Sequence, residues 1–138
     1  MQTFLPYSSF SKSAKCLDNK RLGKQRVECY QILKALSDHS YGWQNHPAVK
    51  MWRGYENDLI LYGLTICEEW ISRGFKDTCR NKILDFRKLK NISYNLPPFI
   101  GQQAFHGSHK SNLLRKNPKY YSKFNWKVPN NLEYVWPK

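Results

Sequence analysis

Between Pro47 and Gly74 the apolar side chains recur at helical spacing. Ile60, Leu64, Cys67 and Ile71 step by 4, 3 and 4 residues, which stacks them along one side of an α-helix, and Leu61 and Trp70 widen that stripe. The acids Glu56, Asp58, Glu68 and Glu69 fall mostly on the opposite side. Pro47 suits a first helical turn, where its missing N–H needs no partner, and Gly74 suits the left-handed residue that closes a helix. A helix of this length with one apolar face has to be covered by others, so the chain reads as predominantly α.

The other segments agree. A first helix runs from Lys12 or Asp18 to Leu36, with Gly23 as a weak point. The stretch "SDHSYGWQNHP" at 37–47 is a loop by its Ser, Asp, Gly, Asn and Pro content. A short helix at 79–90 is followed by a break at Pro97–Pro98. A third main helix covers about 100–116 and is stopped by Asn117–Pro118. The N-terminal "MQTFLPYSSFS" is extended, and the tail "KYYSKFNWKVPNNLEYVWPK" wraps over the helices without forming a sheet. With 138 residues the expectation is an all-α fold: one compact domain, 1–138, of about three main helices with an aromatic, irregular C-terminal tail.

Charge narrows the function. There are 23 Lys and Arg against 10 Asp and Glu, a net charge of +13. The excess lies in 1–36, 80–90 and 107–138, while the acids gather in the middle of the chain. A basic face of this kind suits a polyanion, most simply nucleic acid. Cys16, Cys29, Cys67 and Cys79 form no CxxC pair, and no signal peptide or membrane span is evident, so a reducing, cytoplasmic setting with free thiols is expected.

The stretch "LDNKRLGKQRVE", 17–28, carries the most informative charges. At 100° per residue, Asp18, Arg21, Gln25 and Glu28 make one polar stripe beside the apolar stripe of Leu22, Cys29, Leu33 and Leu36. Lys20, Lys24, Gln31 and Lys34 lie on the far, wet side. A polar stripe at the edge of a core is half buried, and half-buried charges need partners. One reading is an ion-pair network closing the helix against the N-terminal segment. The other is a pocket with Glu28 at its floor, ringed by Arg21, Lys24 and Arg26 as phosphate ligands.

At this point the chain resembles the pyrimidine-dimer DNA glycosylases with abasic-site lyase activity, the phage endonuclease V type. Asp18, Gln25, Arg26 and Glu28 resemble that family's first helix. The segment "WRGYENDLILYGLTICEEWISRGF" resembles its long middle helix, and "HKSNLLRKNPKYYSKF" its third helix and the aromatic turn after it. The resemblance implies an all-α monomer acting on double-stranded DNA with a damaged or modified base, without a cofactor. It also implies an N-terminal α-amine as nucleophile and Glu28 as the group that supports the sugar and moves protons. An α-amine titrates at about 7.7–8.0 and a Lys at about 10.4, so far more of the amine is neutral at pH 7. In the phage enzyme a Thr is exposed by removal of the initiator Met. Here the chain reads Met1-Gln2-Thr3, and a bulky second residue leaves Met1 in place. The implied catalytic pair is Met1 and Glu28, with Thr3, Asp18, Arg21, Gln25 and His46 as pocket residues. Lys20, Lys24, Arg26, His106, His109, Lys110, Arg115 and Lys116 are the DNA-contact candidates.

Two other readings stay open. The chain could be a non-catalytic nucleic-acid-binding module with the same fold. It could also be a metal-dependent nuclease, since His106 and His109 share a helical face and Asp18 and Glu28 could join them, although no third and fourth ligand at a telling spacing is evident. His46, at a loop-to-helix junction, is either a capping residue or a pocket residue. The many Trp, Tyr and Phe are mostly core, with one or two available to stack on bases.

Overall fold

Ser9 opens the first helix: its hydroxyl accepts the Lys12 N–H at 3.1 Å, and α1 runs over Phe10–Cys16. The chain then turns extended at Leu17 and Asp18 before α2, Asn19–Ser37. Of the two expected starts of the first long helix, Asp18 is the one taken, as the cap of α2, and Lys12 falls in the separate α1, because Leu17 leaves the helical path to become fully buried. The computed structural model describes residues 1–89 and 96–137.

The expected helix over 47–74 is also split. His46 caps α3, Pro47–Lys50, and a turn follows before α4, Glu56–Ser72. Gly54 sits in this turn at φ +90°, a conformation that disfavours side chains with a Cβ. The turn brings Trp52 into the core, where it is fully buried. Gly74, at φ +90°, does follow the end of α4. The core face of α4 is Leu59, Ile60, Tyr62, Ile66 and Cys67, whereas Leu61 and Ile71 of the expected stripe are 48% and 46% exposed. Packing against α1, α2 and α5 (Arg80–Asp85) rotates that face away from the stripe.

A 3-10 turn, Phe86–Leu89, follows α5, and residue 90 of the expected short helix lies outside the described residues. The third long helix, α6, is Gln103–Lys116. Asn117 ends it, and its side-chain oxygen accepts the Tyr120 N–H of α7, Pro118–Tyr121. A last 3-10 turn is Ser122–Phe124. The tail then runs back along α6: the Leu132 N–H donates to Ser111 Oγ and the Val135 N–H to Ser108 Oγ. Three long helices, four short ones and an irregular aromatic tail make the fold all-α, with no strand among the described residues.

Candidate active site

The N-terminal segment is extended and buried, yet it has no β-partner among the described residues. Backbone groups in such a place must find other partners, and side chains supply them. From α2, Gln25 Oε1 accepts the Phe4 N–H at 2.8 Å and Gln25 Nε2 donates to the Gln2 carbonyl at 2.6 Å. From α4, the Tyr62 hydroxyl donates to the Phe4 carbonyl at 2.6 Å. From α6, His109 Nδ1 accepts the Leu5 N–H at 2.9 Å and His106 Nδ1 meets the Leu5 carbonyl at 2.7 Å. The Trp52 indole donates to Thr3 Oγ1 at 3.0 Å. Three long helices thus grip residues 2–5 and fix where Met1 lies.

Met1 opens into a cleft of about 350 Å³ lined by Met1, Gln2, Phe4, Lys20, Arg21, Lys24, Glu28, Lys116 and Tyr134. Glu28 is the one acid among these lining residues, against four cations, so the cleft attracts anions. Glu28 Oε2 accepts the Gln2 N–H at 2.9 Å, one residue from the chain's amine. Lys24 lies 3.9 Å from Glu28 Oε1, but its side chain is 74% exposed, which makes that pair weak. Burial pushes the Lys116 ammonium below its ordinary range, helped by Arg21, Arg115 and Lys24, and opposed by Glu28. An anionic group bound among these cations would relieve their mutual repulsion.

His46 feels both the N-terminal ammonium and Glu28. Burial, then the ammonium, lowers its pKa, and Glu28 works against them. Its Nδ1 accepts the Ala48 N–H at 3.0 Å, so the neutral ring carries its proton on Nε2 and can donate there but not accept. His46 is both helix cap and neighbour of the amine.

The remaining candidates separate. Asp18 does not line the cleft. Its carboxylate accepts Arg21 Nη1 at 2.9 Å and the Tyr121 hydroxyl at 2.5 Å, so it holds Arg21 against the cleft wall. Thr3, expected as a pocket residue, is fully buried and outside the cleft lining, and its hydroxyl accepts the Trp52 indole N–H. Arg26 is not in the ring around Glu28. It pairs with Asp77 at 2.6 Å and stacks over the Trp70 ring, which makes it a strut between α2 and the segment after α4. His106 and His109 are buried, with the Leu5 backbone as their partner, and of these two DNA-contact candidates His106 alone lines a surface groove, the one it shares with Lys110. His106 Nε2 in addition accepts the Gly101 N–H. Burial pushes the His109 pKa down to about 3. Arg115 ties down the tail through the Asn130 and Leu132 carbonyls and the Asn112 side chain. Lys110 lies over the Tyr7 ring beside a second groove. Among the described residues no three His, Cys, Asp or Glu side chains gather as a metal site, so the nuclease set of Asp18, Glu28, His106 and His109 is not assembled. The four cysteines are buried and unpaired, and no described helix is long and apolar enough to cross a membrane.

Sequence reasoning missed Gln2, Phe4 and Tyr134 as lining residues. Gln2 and Phe4 sit beside the amine, and alternation along an extended segment could have suggested them. Tyr134 carried no local signal.

Comparison with known proteins gives a family match. A family model described as pyrimidine dimer DNA glycosylase covers residues 1–83, which hold the gripped N-terminus, Glu28 and His46. No curated protein and no solved structure matches the chain.

Proposed function

Because the chain belongs to the pyrimidine dimer DNA glycosylase family, we propose that it removes a damaged or modified pyrimidine from double-stranded DNA and cuts the strand at the resulting abasic site. The observation that carries this is the Glu28 carboxylate on the Gln2 N–H at 2.9 Å, in a cleft rimmed by Lys20, Arg21, Lys24 and Lys116. The cations bind phosphates flanking an extruded nucleotide, since a sugar carbon inside a stacked duplex is out of reach. The Met1 α-amine attacks C1′, the pyrimidine leaves, and an imine forms. Glu28 supports the positive sugar and takes the proton whose loss lets the 3′ phosphate depart by β-elimination. Residues 1–138 act as one domain and as a monomer in this reading: the cleft takes residues from both ends of the chain, Met1 and Gln2 with Lys116 and Tyr134.

Borohydride trapping tests it. The purified protein is mixed with duplexes carrying a thymine dimer, an abasic site or no lesion. A covalent adduct on the dimer duplex, mapped by peptide mass to Met1, is the expected result. Binding without adduct, broken glycosidic bond or strand cut on any duplex would leave a binding module.

A further inference from the structure

Gln2 is 5% exposed, lines the cleft, and is held at three points. Its N–H is on Glu28, its carbonyl is on Gln25, and its side-chain Oε1 accepts the Thr3 N–H at 2.9 Å. The last bond settles the orientation of the amide, which is otherwise ambiguous. Nε2 then faces away from Thr3 and has no hydrogen-bond partner among the described residues. The Gln2 side chain acts on the Tyr134 hydroxyl as a hydrogen-bonding neighbour, but no bond of normal geometry joins Nε2 to it. A buried, unpaired N–H donor is costly, and this one belongs to a residue that lines the proposed catalytic cleft, next to the amine.

We propose that Gln2 Nε2 is a catalytic donor that binds the O2 carbonyl of the departing pyrimidine; the assignment rests on the glycosylase reading above. When the amine nitrogen bonds to C1′, the C1′–N1 bond breaks and its electron pair stays on the pyrimidine, spread over N1 and O2. The attacking amine gives up a proton, and the pyrimidine anion takes one up, so charge balances. A fixed, neutral N–H aimed at O2 is stronger in the transition state than in the ground state, because charge on O2 grows as the bond opens. The exposed cations on the rim suit phosphates. The buried amide on the floor suits the base.

Two variants keep a bulky second residue, so that Met1 stays: Gln2→Met, which removes the donor, and Gln2→Glu, which keeps the shape and the acceptor for Thr3 but puts negative charge where the leaving group needs a donor. Intact mass confirms the N-terminus. Two rates are read in single turnover: breaking of the glycosidic bond in a dimer duplex, scored as free thymine after photoreversal because the cyclobutane ring still ties the detached base to its neighbour, and strand cleavage at a preformed abasic site, which has no base to lose. Glycosidic cleavage should fall about 100-fold in Gln2→Met and further in Gln2→Glu, and in both variants by a larger factor than abasic-site cleavage falls. Equal losses in the two rates would make Gln2 only a support for the amine and overturn the assignment, as would glycosidic cleavage that stays at the wild-type rate. A wild-type chain that breaks no glycosidic bond overturns the glycosylase reading and this assignment with it.

Discussion

Gln25 and Gln2 are joined across 23 residues by a 2.6 Å hydrogen bond from the Gln25 amide to the Gln2 carbonyl. The same side chain accepts the Phe4 N–H, so one buried amide replaces a neighbouring strand. Gln25→Leu would leave the Phe4 N–H and the Gln2 carbonyl buried and unpaired, and would take one acceptor from the Tyr62 hydroxyl. Each stranded group costs about 1–3 kcal/mol, so stability should drop by about 2–4 kcal/mol. Denaturant unfolding reads this directly. A loss below about 1 kcal/mol would mean that the grip on the N-terminus does not depend on Gln25.

Glu28→Gln separates chemistry from binding. A Gln side-chain oxygen can still accept the Gln2 N–H, and the bond lost to the exposed Lys24 is weak. Stability should therefore hold to within about 0.5 kcal/mol, lesion binding should persist, and turnover should fall by at least about 100-fold. Calorimetry, a binding titration and a cleavage assay on one preparation check all three. Turnover near the wild-type level would remove Glu28 from the mechanism.

How much of this could be read in advance depends on how far apart the partners lie. The extents of α2 and α6 follow from local signals, above all Asn117–Pro118. The placing of Asp18, Arg21, Gln25 and Glu28 on one half-buried edge follows from rotation about one helix axis. The two helix breaks do not follow, because Leu17 and Gly54 leave the helical path for tertiary reasons: burial of Leu17 and of Trp52. The same limit governs side chains. Spacing puts His106 and His109 on one face, but their partner Leu5 is more than 100 residues away. Arg26 looks like its neighbours Lys24 and Arg21 until Asp77, 51 residues on, takes it.

The two histidines make stability depend on pH. His109 has a folded pKa of about 3, depressed by burial and by His106, against about 6.5 in an unfolded chain. Burial also lowers His106, with Lys110 adding to it and the Leu5 carbonyl opposing. A depressed histidine binds its proton more tightly when unfolded. The stabilisation is complete above about pH 6.5 and is lost as pH falls toward 3. Loss on the order of a few kcal/mol by about pH 4 is expected. Carboxylates titrate in the lower part of that window, so the comparison is with His109→Gln, whose side-chain oxygen can accept the Leu5 N–H. Between about pH 6.5 and 4.5 the variant should show a flatter stability curve. Parallel curves would remove His109 as the cause.

The cations of the cleft and Arg26 should part company in a salt titration. Lys20, Lys24 and Lys116 face the cleft, and Lys20 and Lys24 stand exposed on one face of α2. Each phosphate neutralised adds about 0.9 to the slope of log affinity against log salt. Replacing all three with Gln should weaken binding to undamaged and damaged duplex alike and flatten the slope by about 2–3. Arg26→Met should do the reverse: the slope stays, while stability falls because Asp77 is left buried without its guanidinium partner. Filter binding at several salt concentrations gives the slopes, and thermal unfolding gives the stabilities. A flattened slope for Arg26→Met would mean that Arg26 leaves Asp77 to bind DNA, and the phosphate-binding face would then extend beyond the Glu28 cleft.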